Sequence, residues 1–208
     1  MMKKIILLTF LGLVTNIYAQ QTFGLTVGGQ TTGITDAKIG DNQNQYGFYV
    51  GGYYNLPFDQ GFSFQPEIMY SFQSFNNLNI TYSDYFGGIE NQETTQPRFD
   101  FKYQMHLIKL PLLLKYQPNK LYVELGPEFS YLMSAKGNYH DKSNEIPALN
   151  GKIENINHFQ AALVTGAGYQ LNEKLNVGLR LSWGFTEFSE YSYIRNFNVG
   201  VGVNYRLN

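Results

Sequence analysis

Residues 121–135 read LYVELGPEFSYLMSA. Leu121, Val123, Leu125, Pro127, Phe129, Tyr131 and Met133 are apolar or aromatic, and Tyr122, Glu124, Gly126, Glu128, Ser130, Leu132 and Ser134 alternate with them. A period of two puts neighbouring side chains on opposite faces of an extended strand, one greasy and one largely polar. In a water-soluble sandwich the greasy face turns inward and the glutamates meet water. In a membrane barrel the assignment inverts, with grease on lipid and glutamates in the lumen. The choice between these two folds rests on the rest of the chain.

The N-terminus, MMKKIILLTFLGLVTNIYAQQ, places Lys3 and Lys4 ahead of an apolar run from Ile5 to Val14. Ala19 then supplies a small residue before a cut near Gln20. This pattern predicts a secretory signal peptide over residues 1–19, too short to span a bilayer as a helix. The mature segment, residues 20–208, is expected to form one domain. With no cysteine among the 208 residues, neither a disulfide framework nor a lipid-anchored cysteine is available. Removing Lys3 and Lys4 leaves 13 basic residues against 16 acidic ones, which gives no electrostatic case for nucleic acid. Composition is more informative: 17 Tyr, 16 Phe and 21 Gly among short alternating segments indicate an all-β barrel or sandwich.

Eight strands are expected, over residues 22–30, 46–56, 61–75, 99–116, 121–135, 158–171, 175–188 and 197–208. Phe23, Leu25 and Val27 share a face of the first. The second, YGFYVGGYYNL, is aromatic and glycine-rich on both faces and has no readable orientation. In the third, Phe62, Phe64, Ile68, Tyr70 and Phe72 oppose Ser63, Gln65, Glu67, Ser71 and Gln73. The fourth changes phase. Phe99, Phe101, Tyr103 and Met105 form its first apolar set, and Ile108, Leu110, Leu112 and Leu114 its second, which predicts a bulge near Met105–Leu107. Pro111 lacks a donor and is expected to interrupt the ladder. The last strand sets Phe197, Val199, Val201, Val203, Tyr205 and Leu207 against Asn198, Gly200, Gly202, Asn204 and Arg206.

The connections choose between the folds. LPFDQ, QPNK and LNEK are short turns. They alternate with long polar connections over residues 31–45, 76–98 and 137–157, and a smaller one near 187–193. Long and short loops at opposite ends are the pattern of an outer-membrane barrel, and a Greek-key sandwich has no reason to adopt it. The expected fold is therefore all-β, an eight-stranded antiparallel up-and-down transmembrane β-barrel in the cell outer membrane, with both termini periplasmic.

The segment LIKLPLLLKYQPNKLYVELGPEFSYLMSAK, from Leu107 to Lys136, resembles the outer-membrane β-barrel domain of Bacteroidota known as porin-family or PorT-like. The likeness lies in Leu110–Tyr116, in Gly126-Pro127, in Ser134-Ala135-Lys136 and in the closing GVGVNYRL. Lys109 departs from the family's Glu, and the chain ends in Leu207-Asn208 in place of an aromatic. The resemblance implies the fold and the location, and its PorT members bring an association with secretion and gliding. Fold likeness alone does not carry activity.

Eight strands leave an interior that side chains fill, which argues against a wide pore. The inward charges Glu67, Lys109, Lys115, Glu124, Glu128, Arg180 and Arg206 are expected to form a lumenal network that plugs and stiffens the barrel, since isolated ions are costly to desolvate. No catalytic, cofactor or metal site is read. His106, His140 and His158 lack metal-ligand spacing. Asp41–Gln45 and His140–Glu145 carry oxygen donors without a calcium-loop pattern. Ser143, His140 and Asp141 are adjacent in one loop, which is not triad geometry. The aromatics Tyr46, Tyr82, Tyr85, Phe86 and Tyr139 fit an interfacial girdle or a binding rim. The function expected is a structural or interaction role through the long outer loops. The alternatives are a narrow channel, a secretion-machinery component and a barrel-rim enzyme. The expected partners are outer-membrane lipid and proteins met at the extracellular loops or the periplasmic side, with the barrel a monomer and without nucleic acid or cofactor.

Overall fold

The structure, a computed structural model, describes residues 21–35, 41–81, 98–141, 149–152, 157–189 and 192–208. The expected signal peptide lies outside the described residues, as do Tyr82, Tyr85, Phe86 and Ser143. The strands are β1 (Thr22–Thr35), β2 (Asp41–Asp59), β3 (Phe62–Thr81), β4 (Arg98–Tyr116), β5 (Leu121–Asp141), β6 (Leu149–Lys152), β7 (Phe159–Gln170), β8 (Leu175–Ser189) and β9 (Ser192–Arg206). Each wall strand pairs antiparallel with the next, β5 passing directly to β7. The β1–β9 and β4–β5 pairings complete the ring. The wall is a closed eight-stranded barrel; β6 is a short strand laid on the far end of β5.

Turn chemistry explains the tight end. Gly61, at φ 90°, takes the left-handed conformation that a two-residue turn between Asp59 and Phe62 requires. Asn172 Oδ1 accepts the backbone N–H groups of Lys174 and Leu175, both at 2.9 Å, closing the β7–β8 turn. At the other end the strands outrun the sequence expectation. β2 begins at Asp41, so Asp41–Gln45 is strand and not loop, and β3 and β5 continue to Thr81 and Asp141. β5 spans 21 residues and β3 spans 20, against roughly 9–11 needed to cross a bilayer.

The outside is apolar along the middle of the barrel. Leu25, Val27, Val50, Ile68, Leu110, Leu114, Val123, Leu125, Leu179 and Val201 are all exposed. Rings border this aliphatic band at both levels. Phe62 stacks near Tyr116 at 4.5 Å by the tight turns, and Trp183 meets Phe197 at 5.6 Å by the long loops. His106 and His158 belong to the upper ring. Tyr70 Oη lies 2.6 Å from His106 Nδ1, and Tyr131 stacks on His158 at 5.7 Å. Tyr46 is exposed beside this belt.

The inside departs from the expectation at β4. Met105, Leu107, Lys109, Pro111, Leu113 and Lys115 are all buried, so β4 keeps one phase along this length. The predicted bulge lies instead on the facing strand. His106 pairs with Ser134 and Leu107 with Leu132, leaving Met133 as the extra residue of β5. Before it Leu132 points inward, and after it Ala135 does. Polarity failed as a guide to facing here because Met105, Leu107, Leu132 and Ala135 make the lumen apolar at this level. The ladder does break at Pro111, as expected: Glu67 and Ile68 have no partners on β4 between Pro66–Leu112 and Met69–Lys109, although the register is the same on both sides.

The unreadable strand β2 turns Tyr49 and Tyr53 inward. Their rings lie over glycines on neighbouring strands. A Cβ at Gly28 or Gly202 would strike Tyr49, one at Gly24 would strike Tyr53, and one at Gly168 or Gly178 would strike Tyr122. Missing side chains on one strand thus make room for large ones on another. Gly168→Ala, whose Cβ overlaps the Tyr122 ring and the Val177 carbonyl oxygen, is expected to cost about 1–3 kcal/mol. Gly29→Ala, with nothing within 4 Å, should stay within about 0.5 kcal/mol of the parent. Urea unfolding midpoints of the two refolded variants check this contrast.

Candidate functional site

The lumen holds the chemistry. Glu67 comes from β3, Lys109 and Lys115 from β4, Glu124 and Glu128 from β5, Arg180 from β8 and Arg206 from β9. Arg180 joins the most. Its Nη1 and Nη2 donate to Glu67 Oε2 and Oε1 at 2.6 and 2.7 Å, and its Nε donates to Glu124 Oε1 at 2.5 Å. β8 is the fourth neighbour of β3 in either direction round the ring, so this two-pronged pair crosses the full width of the lumen. Glu67, only 2% exposed, also accepts from Gln65 Nε2 at 2.7 Å, and Gln65 Oε1 accepts from Asn55 at 3.1 Å.

Glycine makes the third contact possible. In register, Glu124 stands opposite Gly166, and Gly166 opposite Arg180. A Cβ at Gly166 would lie 2.8 Å from Glu124 Oε1, so the bare position leaves the path between guanidinium and carboxylate clear. No sequence pattern marks this glycine, because its role depends on cross-strand register.

A second pair sits nearer the long-loop end. Lys109 Nζ donates to Glu128 Oε1 at 2.9 Å, with both side chains buried, and Ser182 Oγ reaches the same oxygen at 3.4 Å. Polar pairs continue above it: Gln30 Nε2 donates to Ser71 Oγ at 2.8 Å and Thr32 Oγ1 to Asn198 Oδ1 at 2.9 Å. The two cavities flanking the Lys109–Glu128 pair measure about 30 and 20 Å³, each room for one water.

Lys115 and Arg206 stand outside these pairs. Glu124 is directly opposite Lys115 in register but turns to Arg180. Lys115 Nζ instead lies 3.9 Å from the centre of the Tyr122 ring. Among the described residues, no carboxylate lies within ion-pair distance of Lys115 or Arg206. Both line a cavity of about 590 Å³ at the tight-turn mouth, with Asn55, Gln65, Gln117 and Asn176.

Elsewhere, His140 and Asp141 end β5 and are described at the backbone only, so the loop containing Ser143 has no side-chain geometry to weigh. The side chain of Tyr139 likewise lies outside the described set. Among the described residues no group of three His, Asp or Glu could hold a metal ion.

A model of the outer membrane protein beta-barrel domain matches residues 18–190, and the chain belongs to this family. It is thus an outer-membrane β-barrel protein. No curated protein matches it. Among solved structures it is similar to Ail, the attachment invasion locus protein of Yersinia pestis, at 12% identity over 91% of this chain and 100% of Ail, with a TM-score of 0.46. Neisserial surface protein A matches at 10% identity over 90% of this chain and 99% of that one, with a TM-score of 0.49. The outer membrane protease OmpT from Escherichia coli matches at 11% over 90% and 96%, also at 0.49. At these values what those proteins attach to or cleave stays theirs.

The Arg180 cluster has a measurable signature. Arg180→Met leaves Glu67 and Glu124 buried without a counter-charge and is expected to cost about 3–5 kcal/mol. Adding Glu67→Gln and Glu124→Gln should recover most of that loss, because neutral groups carry no such desolvation penalty. Urea midpoints of the single and triple variants test both halves.

Proposed function

We propose that the protein is a plugged, non-enzymatic barrel that works by contact at its long-loop end. The observation that carries this reading is the occupied lumen. The Arg180–Glu67 pair spans it, Lys109–Glu128 fills the next level, and only water-sized cavities flank that second pair. A conducting path would have to break at least one buried ion pair. The extended walls support a contact role. The pairing continues to Asp41 opposite Leu78, Thr81 opposite Arg98 and Phe99 opposite Asp141, well above the ring belt. Short tight turns face the periplasm in such barrels, so this raised rim faces outward. Its partners are extracellular proteins or ligands, the wall meets outer-membrane lipid, and the barrel stands as a monomer. The lumenal charges play a structural part, holding the walls together.

The likeness of Leu107–Lys136 to PorT-like barrels of Bacteroidota supports membership of that group, and with it a second reading as a component of a secretion machine. That reading places the partner on the periplasmic side. The two readings part in a cross-linking experiment on intact cells. Replacing residues 78–101 by a short turn should keep the heat-modifiable gel mobility of the barrel. On the contact reading it abolishes cross-links to surface partners; retained cross-links confined to periplasmic proteins favour the secretion reading.

The plug is tested separately in planar bilayers. The refolded mature protein is expected to show no steady single-channel conductance, whereas Arg180→Gly combined with Glu67→Gly should produce discrete steps. Steady conductance of the unmodified protein would contradict the plugged reading and favour the narrow channel.

A further inference from the structure

The two inward-facing cations left out of the described ion pairs share one place. Lys115 is 4% exposed, and among the described residues its ammonium has only the face of Tyr122 as a partner. An aromatic face compensates a buried ammonium far less than a carboxylate at contact does. The carboxylate that register sets beside it, Glu124, is held by Arg180. Glu124 Oε2 has no hydrogen-bond partner among the described residues, yet Glu124 does not line the mouth cavity that Lys115 lines. Arg206, inward-facing on β9, lines the same cavity, with no ion pair among the described residues.

The remaining lining fits a polar ligand. Asn55, Gln117 and Asn176 line this volume; Asn55 Nδ2 already donates to Ser63 and Gln65, and Gln117 Nε2 to Gln170, whereas Asn176 Oδ1 is buried with no hydrogen-bond partner among the described residues. An amide can present its NH₂ in place of its oxygen, since the two ends are interchangeable in shape. The one acidic group of the lining, Asp59, is exposed in the β2–β3 turn at the rim. At about 590 Å³ the cavity is within the size range of small-molecule sites, and it opens at the tight-turn end.

We infer that this mouth is a binding site for a small oxyanion from the periplasm, a solute carrying a carboxylate or phosphate group. Lys115 supplies a compact charge from below, and Arg206 a planar guanidinium that matches two oxygens at once. The Asn176 amide completes the shell. The site is independent of the contact surface at the long-loop end, and each stands or falls alone.

Isothermal titration of the detergent-folded mature protein at low ionic strength, with succinate and with inorganic phosphate as separate probes, tests it. Saturable binding of at least one anion is expected, and the one preferred separates a carboxylate source from a phosphate source. Lys115→Met and Arg206→Gln should each weaken binding tenfold or more, while Lys115→Arg retains most of it. Heat-modifiable mobility shows that each variant is folded. The absence of binding by the unmodified protein overturns the proposal, as does equal binding by folded Lys115→Met or Arg206→Gln.

Discussion

One guanidinium holds the two halves of this barrel together. Arg180 reaches from β8 across the lumen to Glu67 on β3 and along the wall to Glu124 on β5. Inside a barrel these charges have little water to fall back on, so each must find an opposite charge or a hydrogen bond. The geometry follows from that demand. Gly166 is bare so that the arginine can reach Glu124, Gln65 braces Glu67, and Asn55 braces Gln65. On the proposed reading, the consequence for function is occlusion. A lumen crossed by a two-pronged ion pair is a packed interior, as expected of eight strands.

Around that crossing, size complementarity does what polarity does not. Tyr49, Tyr53 and Tyr122 fill the lumen from strands whose neighbours offer glycine. Met105, Leu107, Leu113 and Leu132 fill it with apolar bulk. The interior is therefore a mixed core, and the exterior is more uniformly greasy than the inside of a soluble protein needs to be. That reversal, with Ile68 62% and Leu121 64% exposed while Glu67 and Glu124 are buried, is what lipid as the outer solvent accounts for.

The sequence carries the wall strands well wherever one face is purely apolar. β8 and β9 alternate without exception through Leu175–Phe185 and Phe197–Leu207, and the structure follows both. β4 misleads because its inward face carries Met105, Leu107 and Leu113, so grease occurs on both sides and a phase change appears where none exists. The true slip, at Met133, hides in β5 because Leu132, Met133 and Ser134 read as unbroken alternation. β2 is silent because aromatics and glycines stand on both faces, and only the glycines of other strands decide which tyrosines go in. Strand length beyond the membrane is silent too, since Asp41–Gln45 has the composition of a loop and pairs as a strand.

The inward charges were legible as a set, but their pairing was not. Alternation says that Lys115 and Glu124 face the lumen. It cannot say that Arg180, on a distant strand, takes Glu124 and leaves Lys115 to a ring. Partners across a barrel depend on closure and register, which one strand's sequence does not contain. The split between five paired charges and two that line the mouth emerges only in three dimensions.

The whole structure rests on the inversion of β5, with its greasy face on lipid and its glutamate face inside. The chain has no cysteine, so single cysteines can be placed one at a time from residue 121 to residue 135 and spin-labelled in bilayers. Collision rates with oxygen, which concentrates in lipid, and with a water-soluble nickel complex read the surroundings of each label. Oxygen maxima are expected at odd positions up to 131, with the alternation shifting by one residue after Met133. High nickel access at the odd positions, or an alternation that runs unshifted through residue 135, would contradict it.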